Sequence, residues 1–407
     1  MIKMYLMIIA FAIPLFCSAQ ARLTDEATVQ IHGDNNGRFS NLETLNENFE
    51  GVRVVTLGEQ THFDGATFDA KIQLVKYLHE KLGFNILAFE SGYFDCSKAA
   101  ELIARSDSKG ILRQAVFGVW DNKSLADLEE YILYTQNTSA PLIVTGFDAQ
   151  FSGSLSKQYL FEDLSVFLKN IGALEIINDP DWINFESAVQ RQIKYSNFYK
   201  KPSKIDTPLI GKFSRKISDF IPKNASSANV DRNEFWLKVV SNLKNDSKRR
   251  FSNENFRDSI MAENLLDLVE RRFKNDKVIC WGATSHFIYN QKAINSKAYE
   301  TFIPMGEYLH QKLNKSLFTI GFTSYKGKAG SIITHKLKEP PIESYEGQLG
   351  KKGYAYAFTS FRKTTTNEKI GNNIECRLLG NRFHFMDLNH VIDGIFYIET
   401  AYPPRIK

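Results

Sequence analysis

The stretch Val52–Glu90 constrains the fold more than any other part of the chain. It reads VRVVTLGEQTHFDGATFDAKIQLVKYLHEKLGFNILAFE. Val52 to Leu57 is a short β-branched, apolar run, the signature of a buried strand. The polar turn Gly58-Glu59-Gln60-Thr61-His62 comes next. Phe68, Ile72, Val75, Leu78 and Leu82 then recur at spacings of three and four, which predicts a helix with one apolar stripe laid on a sheet. Gly83 is placed to end that helix, and Ile86 to Phe89 forms a second strand closed by Glu90. A strand–helix–strand unit of this kind predicts parallel strands joined by a right-handed crossover. Both strands then end on one edge, where open α/β sheets bind ligands. Glu59 and Glu90 are expected there side by side, with His62 just beyond.

The same punctuation recurs. Leu142–Thr145 is a third strand ending in Gly146-Phe147-Asp148, and Lys277–Trp281 is a fourth, leading into Gly282-Ala283-Thr284-Ser285-His286. Leu317–Phe322 and Ile395–Ile398 read as further strands, and Pro304-Met305-Gly306 opens a helix through Leu313. Helical spacing also runs through Ser97–Arg105 and Leu125–Thr135. Residues 151–273 carry long amphipathic patterns broken at Pro202, Pro208 and Pro222, including a helix over Arg257–Arg272. The expected architecture is α/β, a mostly parallel sheet flanked by helices. Its core spans about 45–150 and 275–407, with a helical insertion over about 151–274 forming one side of a cleft. Residues 324–385 show no order legible from periodicity, and Ser247-Lys248-Arg249-Arg250 reads as a solvated charged face.

The chain is 43% hydrophobic and 24% charged, an ordinary globular balance that argues against disorder. The net charge of +5 is spread without a basic tail, which argues against nucleic-acid binding. The N-terminus reads as a targeting segment: Lys3, an apolar run over Met4–Phe16, then Cys17-Ser18-Ala19. That run is too short to span a bilayer comfortably. Cleavage after Ala19 is expected, and with it export to the periplasm or beyond, with no lasting membrane insertion. A lipidated Cys17 is the weaker reading, because bulky Phe16 precedes it. The remaining Cys96, Cys280 and Cys376 are odd in number, so at least one is unpaired within the chain. Nothing in the sequence sets an oligomeric state.

No G-x-S-x-G, phosphate-loop, dinucleotide or H-E-x-x-H signature is present, so no cofactor is implied. There remains a set of polar residues at strand ends: Glu59, His62, Glu90, Asp148 and His286. A histidine held by a carboxylate is a competent general base near neutral pH. Two carboxylates and two histidines are equally a zinc donor set. On spacing alone Lys71 is a solvated lysine, His79 an exposed mid-helix residue and Cys280 an inert buried thiol.

These residues fall in an order that resembles the erythromycin esterase family. Gly58-Glu59-Gln60-Thr61-His62 resembles its G-E-x-T-H, and Gly146 to Gln150 its G-x-D-x-Q. Arg257-Asp258 with Met261, Ala262 and Asn264 resembles R-D-x-x-M-A-x-N. Trp281 to His286 stands where the family has W-x-H-N-x-H. Met305-Gly306 and Gly321-Phe322-Thr323 continue the series, over about residues 45–325. The resemblance implies an α/β core, a deep cleft and hydrolysis of a macrolide lactone by activated water, with no metal firmly implied. His62 would be the general base, Glu59 and Glu90 would orient it or the water, and His286 would be the second cleft histidine. Lys71, Asp148 and Arg257 would bind substrate. Two departures stand out. Lys71 replaces an arginine, and Ala283-Thr284 replace the first histidine and the asparagine of W-x-H-N-x-H. Three readings stay open: a water-activating ester or lactone hydrolase, a metal-dependent hydrolase with Glu59, His62, Glu90 and His286 as ligands, and a binding member that has lost turnover with the Ala283 imidazole.

Overall fold

The computed structural model describes residues 27–34, 38–106, 108–194, 206–223, 230–249, 251–331, 333–362 and 372–405. The targeting segment 1–19 and Cys17 lie outside them. No helix among the described residues is long and apolar enough to cross a membrane.

Among the described residues twelve strands are numbered in chain order: β1 Thr28–Ile31, β2 Val54–Glu59, β3 Phe84–Gly92, β4 Ile143–Asp148, β5 Lys277–Ala283, β6 Ile294–Asn295, β7 Leu317–Gly330, β8 Thr334–Lys336, β9 Tyr356–Ser360, β10 Ile374–Leu379, β11 Arg382–Met386 and β12 Gly394–Ala401. The main sheet runs β1-β9-β12-β7-β2-β5-β3-β4, with β8 folded back on β7. From β12 to β4 every neighbouring pair is parallel, while β9 pairs antiparallel with both β12 and β1. The fold is α/β.

The first crossover is wider than a simple unit. β2 and β3 are parallel, but β5 lies between them and pairs with both. Glu59 and Glu90 therefore stand two strands apart, on the order of 10 Å at the usual strand spacing. The strand between them delivers Gly282, Ala283 and His286 into the gap. A local periodicity carries no information about a strand inserted from nearly 200 residues away.

The central strands are buried along nearly their whole length because both faces of the sheet are covered. Leu87 and Phe89 enter one core, under the helices Gly65–Leu82, Tyr93–Arg105 and Lys123–Thr135. Ile86 and Ala88 point the other way, into a core shared with Phe147 of β4 and with Leu160, Phe185, Trp236 and Leu265 of the helical layer. That alternation is the two-residue period of a strand. Helices at Ser154–Asn170, Trp182–Lys194, Asp206–Lys223, Val230–Arg249 and Glu254–Asp267 build the second layer. Within it Ser247 is buried, so the expected solvated face over 247–250 begins only at Lys248. The unordered stretch 324–385 resolves into the end of β7, then β8, a helix Tyr345–Lys351, and β9 to β11 on either side of residues 363–371.

The helix Gly65–Leu82 starts where Asp64 accepts from the Thr67 N–H, and it ends at Gly83, left-handed at φ 71°, whose N–H returns to Leu78 and His79 carbonyls. His79 is buried rather than exposed. Its ring lies between the Tyr131 hydroxyl at 2.6 Å and the Ala140 carbonyl at 3.0 Å, a satisfied structural histidine. Cys96, Cys280 and Cys376 are all buried free thiols.

The Met305–Leu313 helix packs its first turn against the chain just after His286. A Cβ on Gly306 would sit 2.1 Å from the Phe287 carbonyl oxygen and 2.3 Å from that of Ile288. Backbone cannot yield as a flexible side chain does, so Gly306→Ala is expected to cost about 1–3 kcal/mol. Urea denaturation measures it, and an unchanged midpoint would refute the packing argument.

Candidate active site

Six loops meet at the carboxyl edge of the parallel strands, and the chemistry is concentrated there in two linked groups. The first is built on Glu59, the last residue of β2. Its carboxylate is buried and accepts from three donors: His62 Nδ1–H at 2.9 Å, Trp120 Nε1–H at 2.9 Å, and the Lys71 ammonium. Lys71 also donates to the Gly282 carbonyl at 3.3 Å and lies 4.1 Å above the Trp281 ring. Lys71 is thus fully buried, not solvated. Burial pulls its ammonium down to about 8 against the opposing charges of Glu59 and Glu90. Because Glu59 can only accept, His62 carries its proton on Nδ1 and turns Nε2 outward. That nitrogen has no hydrogen-bond partner among the described residues, and the side chain is 35% exposed.

Gly58 is required by the approach of β5. A Cβ there would lie 2.7 Å from Thr284 Cα. The Thr284 hydroxyl donates to the Gly58 carbonyl, so the residue standing where the family has asparagine ties the ends of β2 and β5 together.

The second group is built on Glu90. One carboxylate oxygen accepts from the Ala283 N–H at 2.9 Å. The other accepts from Arg257 Nη2 at 2.9 Å and lies 3.3 Å from His286 Nε2. Burial opposes ionisation of Glu90, yet His286 and Arg257 hold its carboxyl down at about 2. Arg257 continues to Asp148, with Nη2 at 2.7 Å and Nε at 3.2 Å from Oδ2. Gln150 closes that chain by donating its backbone and side-chain N–H groups to Asp148, which explains the pairing of aspartate and glutamine two residues apart. His286 donates Nδ1–H to Asp258 at 2.8 Å. Burial would depress this imidazole, but Asp258 and Glu90 raise it to about 9, so it is an imidazolium at neutral pH. His62 is raised above its ordinary 6.5 as well: burial lowers it, while Glu59 and then Glu90 more than compensate. Glu90 is the link between the groups, close enough for its charge to act on both histidines.

All seven candidate residues gather at this edge, but not in equal roles. His62, His286 and Arg257 are open enough to touch a ligand. Lys71 and Asp148 are fully buried, facing Glu59 and Arg257, so direct contact with substrate gives way to a positioning geometry. Sequence reasoning missed two participants. Asp258 stands beside Arg257 in the R-D motif, and that adjacency was the available signal. Trp120 had none, since it reaches Glu59 across 61 residues. Spacing on the Glu254–Asp267 helix explains the rest of the motif: Met261 and Ala262 are buried, and Asn264 donates to the Phe147 carbonyl at 3.0 Å.

The donor set fits a dication poorly. No group of three or more His, Cys, Asp or Glu side chains among the described residues is arranged to hold a metal ion. Glu59 and Glu90 are each already matched by a buried cation, Lys71 and Arg257, whose charges would repel another.

The family model for erythromycin esterase matches residues 79–401. The chain belongs to the erythromycin esterase family. Membership places it among hydrolases. YbfO of Bacillus subtilis (strain 168), provisionally named a hydrolase, is 25% identical over 98% of this chain and 97% of its own length. Erythromycin esterase type II of Escherichia coli is 21% identical, covering 91% and 94%. Among solved structures, a mutant of the erythromycin esterase EreC in its open conformation superposes with a TM-score of 0.63 at 18% identity, covering 91% and 95%. One described as a succinoglycan biosynthesis protein gives 0.70 at 18%, covering 90% and 92%. At such identities these two speak for the fold alone, and one fold here serves differently named proteins.

Proposed function

We propose that this member hydrolyses an ester or lactone with water activated by His62. The observation that carries the reading is the oriented imidazole: Nδ1 is held by a carboxylate that Lys71 and Trp120 in turn fix, and Nε2 has no hydrogen-bond partner among the described residues on a side chain that is 35% exposed. Nε2 removes a proton from water as the water oxygen bonds to the carbonyl carbon, and the carbonyl electron pair moves onto its oxygen. The His286 imidazolium and Arg257 are the cations available to that oxyanion. Collapse expels the alkoxide, which takes the proton from His62. Macrolide lactones are one candidate substrate class, since relatives carry that name. The missing imidazole at Ala283 favours a different ester. The same reading puts the mature chain outside the cytoplasm, on the strength of the Lys3–Ala19 targeting pattern.

Mass spectrometry tests the proposal. A mixed panel of macrolides and simple esters is incubated with the protein and searched for addition of one water. Hydrolysis of any member supports it. If no ester gains water while a ligand still raises the melting temperature, the binding reading suggested by Ala283 replaces it.

A pH profile provides a second test. His62 must be neutral to accept a proton, so kcat/KM rises with pH through a value above 6.5. His286 must stay charged, so activity falls as pH passes about 9. Asp258→Asn removes the carboxylate that raises His286, and the alkaline limb is expected to move down in pH. An unmoved limb would assign it to another group.

A further inference from the structure

The donors to Glu59 are unevenly divided between its two oxygens. Among the described residues Oε2 accepts from the Lys71 ammonium only. Oε1 accepts from two donors, His62 Nδ1–H and Trp120 Nε1–H, each at 2.9 Å. Trp120 also meets the base directly. The two rings lie edge to face, with 5.8 Å between centroids and 84° between planes. The indole is itself held in place. It is 1% exposed and packs against Phe89 and Phe117, with ring centroids 6.2 Å away in both cases. Its loop is anchored beside the other carboxylate: the Phe117 N–H donates at 3.0 Å to the hydroxyl of Ser91, one residue past Glu90. The Trp120 N–H closes the turn on the Phe117 carbonyl at 3.0 Å. Trp120 therefore bridges the ends of β2 and β3, which β5 separates in the sheet.

Two donors on one oxygen compete for its electron density, so each bond is weaker than it would be alone. With His62 as the sole donor to Oε1, a buried carboxylate would hold the imidazolium firmly. A histidine that stays protonated at neutral pH cannot serve as a base. His62 already leans that way: burial lowers it, Glu59 and Glu90 raise it past 6.5, and His286 works against them. The remaining charges of the site act from behind these groups, Lys71 through Glu59, and Arg257 and Asp258 through Glu90 and His286. The indole N–H differs from all of them in carrying no charge. It draws on Oε1 without placing another cation beside the imidazole.

We propose that Trp120 is a positioning residue for the base, a claim that rests on the hydrolase reading of His62. Its N–H shares the Glu59 oxygen that His62 uses and so limits how tightly the carboxylate holds the imidazolium, while its ring edge fixes the imidazole rotamer. Trp120 touches neither substrate nor water in this role. It acts through Glu59, and it ties the strength of the base to the connection that follows Glu90.

The test removes the N–H and keeps the ring. Trp120→Phe leaves an aromatic side chain against Phe89 and Phe117. Benzothienylalanine, placed at the same position by codon suppression, also keeps the bicyclic shape and puts sulfur where the N–H was. The titration of His62 is followed by NMR with isotope-labelled histidine, its ring signal being the one that His62→Ala removes. In both variants the His62 midpoint is expected to rise by about half to one pH unit. The acid limb of kcat/KM moves up with it, and the alkaline limb set by His286 stays in place. Loss of packing alone would lower the melting temperature or raise KM and leave the midpoint where it was. An unmoved or lowered midpoint in the folded benzothienylalanine variant therefore overturns the proposal and leaves the hydrolase reading standing. A raised midpoint with no ester turned over keeps the effect of Trp120 on His62 and removes the hydrolase reading instead.

Discussion

Replacing His62 by alanine is expected to lower kcat/KM about 10³-fold while leaving the melting temperature unchanged. The side chain is 35% exposed and its one hydrogen bond among the described residues is to Glu59, so little packing is lost. Glu59 retains Lys71 and Trp120 and is not stranded as an unpaired buried charge. The loss is that of a positioned general base, generally worth about 10²–10⁴ in rate. Steady-state kinetics on whichever ester the panel identifies, with a thermal melt beside it, makes the comparison. Full activity in the variant would remove His62 from the mechanism. Equal loss of stability and activity would make the effect structural.

Lys71→Met is expected to produce the largest loss of stability, about 3–5 kcal/mol. Neither Lys71 nor Glu59 has any exposure in the side chain, so removing the ammonium leaves a buried carboxylate without its counter-charge. The Trp120 N–H that remains carries no charge, and His62 offsets the carboxylate only while its imidazole is protonated. The double variant Lys71→Met with Glu59→Gln removes both charges and is expected to recover much of the stability, because replacing both partners avoids the unpaired ion. It recovers no activity, since the glutamine no longer supports a charged His62. Denaturant titration of the two single variants and the double gives the coupling. Additive losses would mean that the pair is not the source of the effect. Lys71→Arg tests the departure from the family arginine. The guanidinium is larger and planar, and the ammonium it replaces lies 4.1 Å from the Trp281 ring, so overpacking is expected to offset any gain from a bidentate contact.

Local periodicity was enough for the framework. The buried apolar run of β3, the apolar stripe of Gly65–Leu82 and the Gly83 stop depend on contacts a few residues apart, and all three appear as the pattern predicts. The polar residues after each strand were legible for the same reason. In a parallel sheet, chain direction alone sends every strand end to one edge.

Partnerships across the sheet were a different matter. His79 and Lys71 sit on a helix whose spacing cannot tell a solvated polar residue from one that meets a partner below. The Tyr131 hydroxyl and the Glu59 carboxylate decided those cases. Nor could local pattern place β5 between β2 and β3, and with it the Ala283 N–H against Glu90. The assignment of Asp258 to His286 likewise required the Glu254–Asp267 helix to dock on the edge. By itself, then, the sequence determined the parallel strands β2, β3, β4, β5, β7 and β12, the first helices that flank them and the edge at which Glu59, His62, Glu90, Asp148 and His286 emerge, because those depend on short-range apolar pattern and chain direction. Only the tertiary structure decided which carboxylate holds which cation. Strand order brings residues about 200 positions apart to within about 3 Å, and a buried charge is tolerated only where that order supplies its partner.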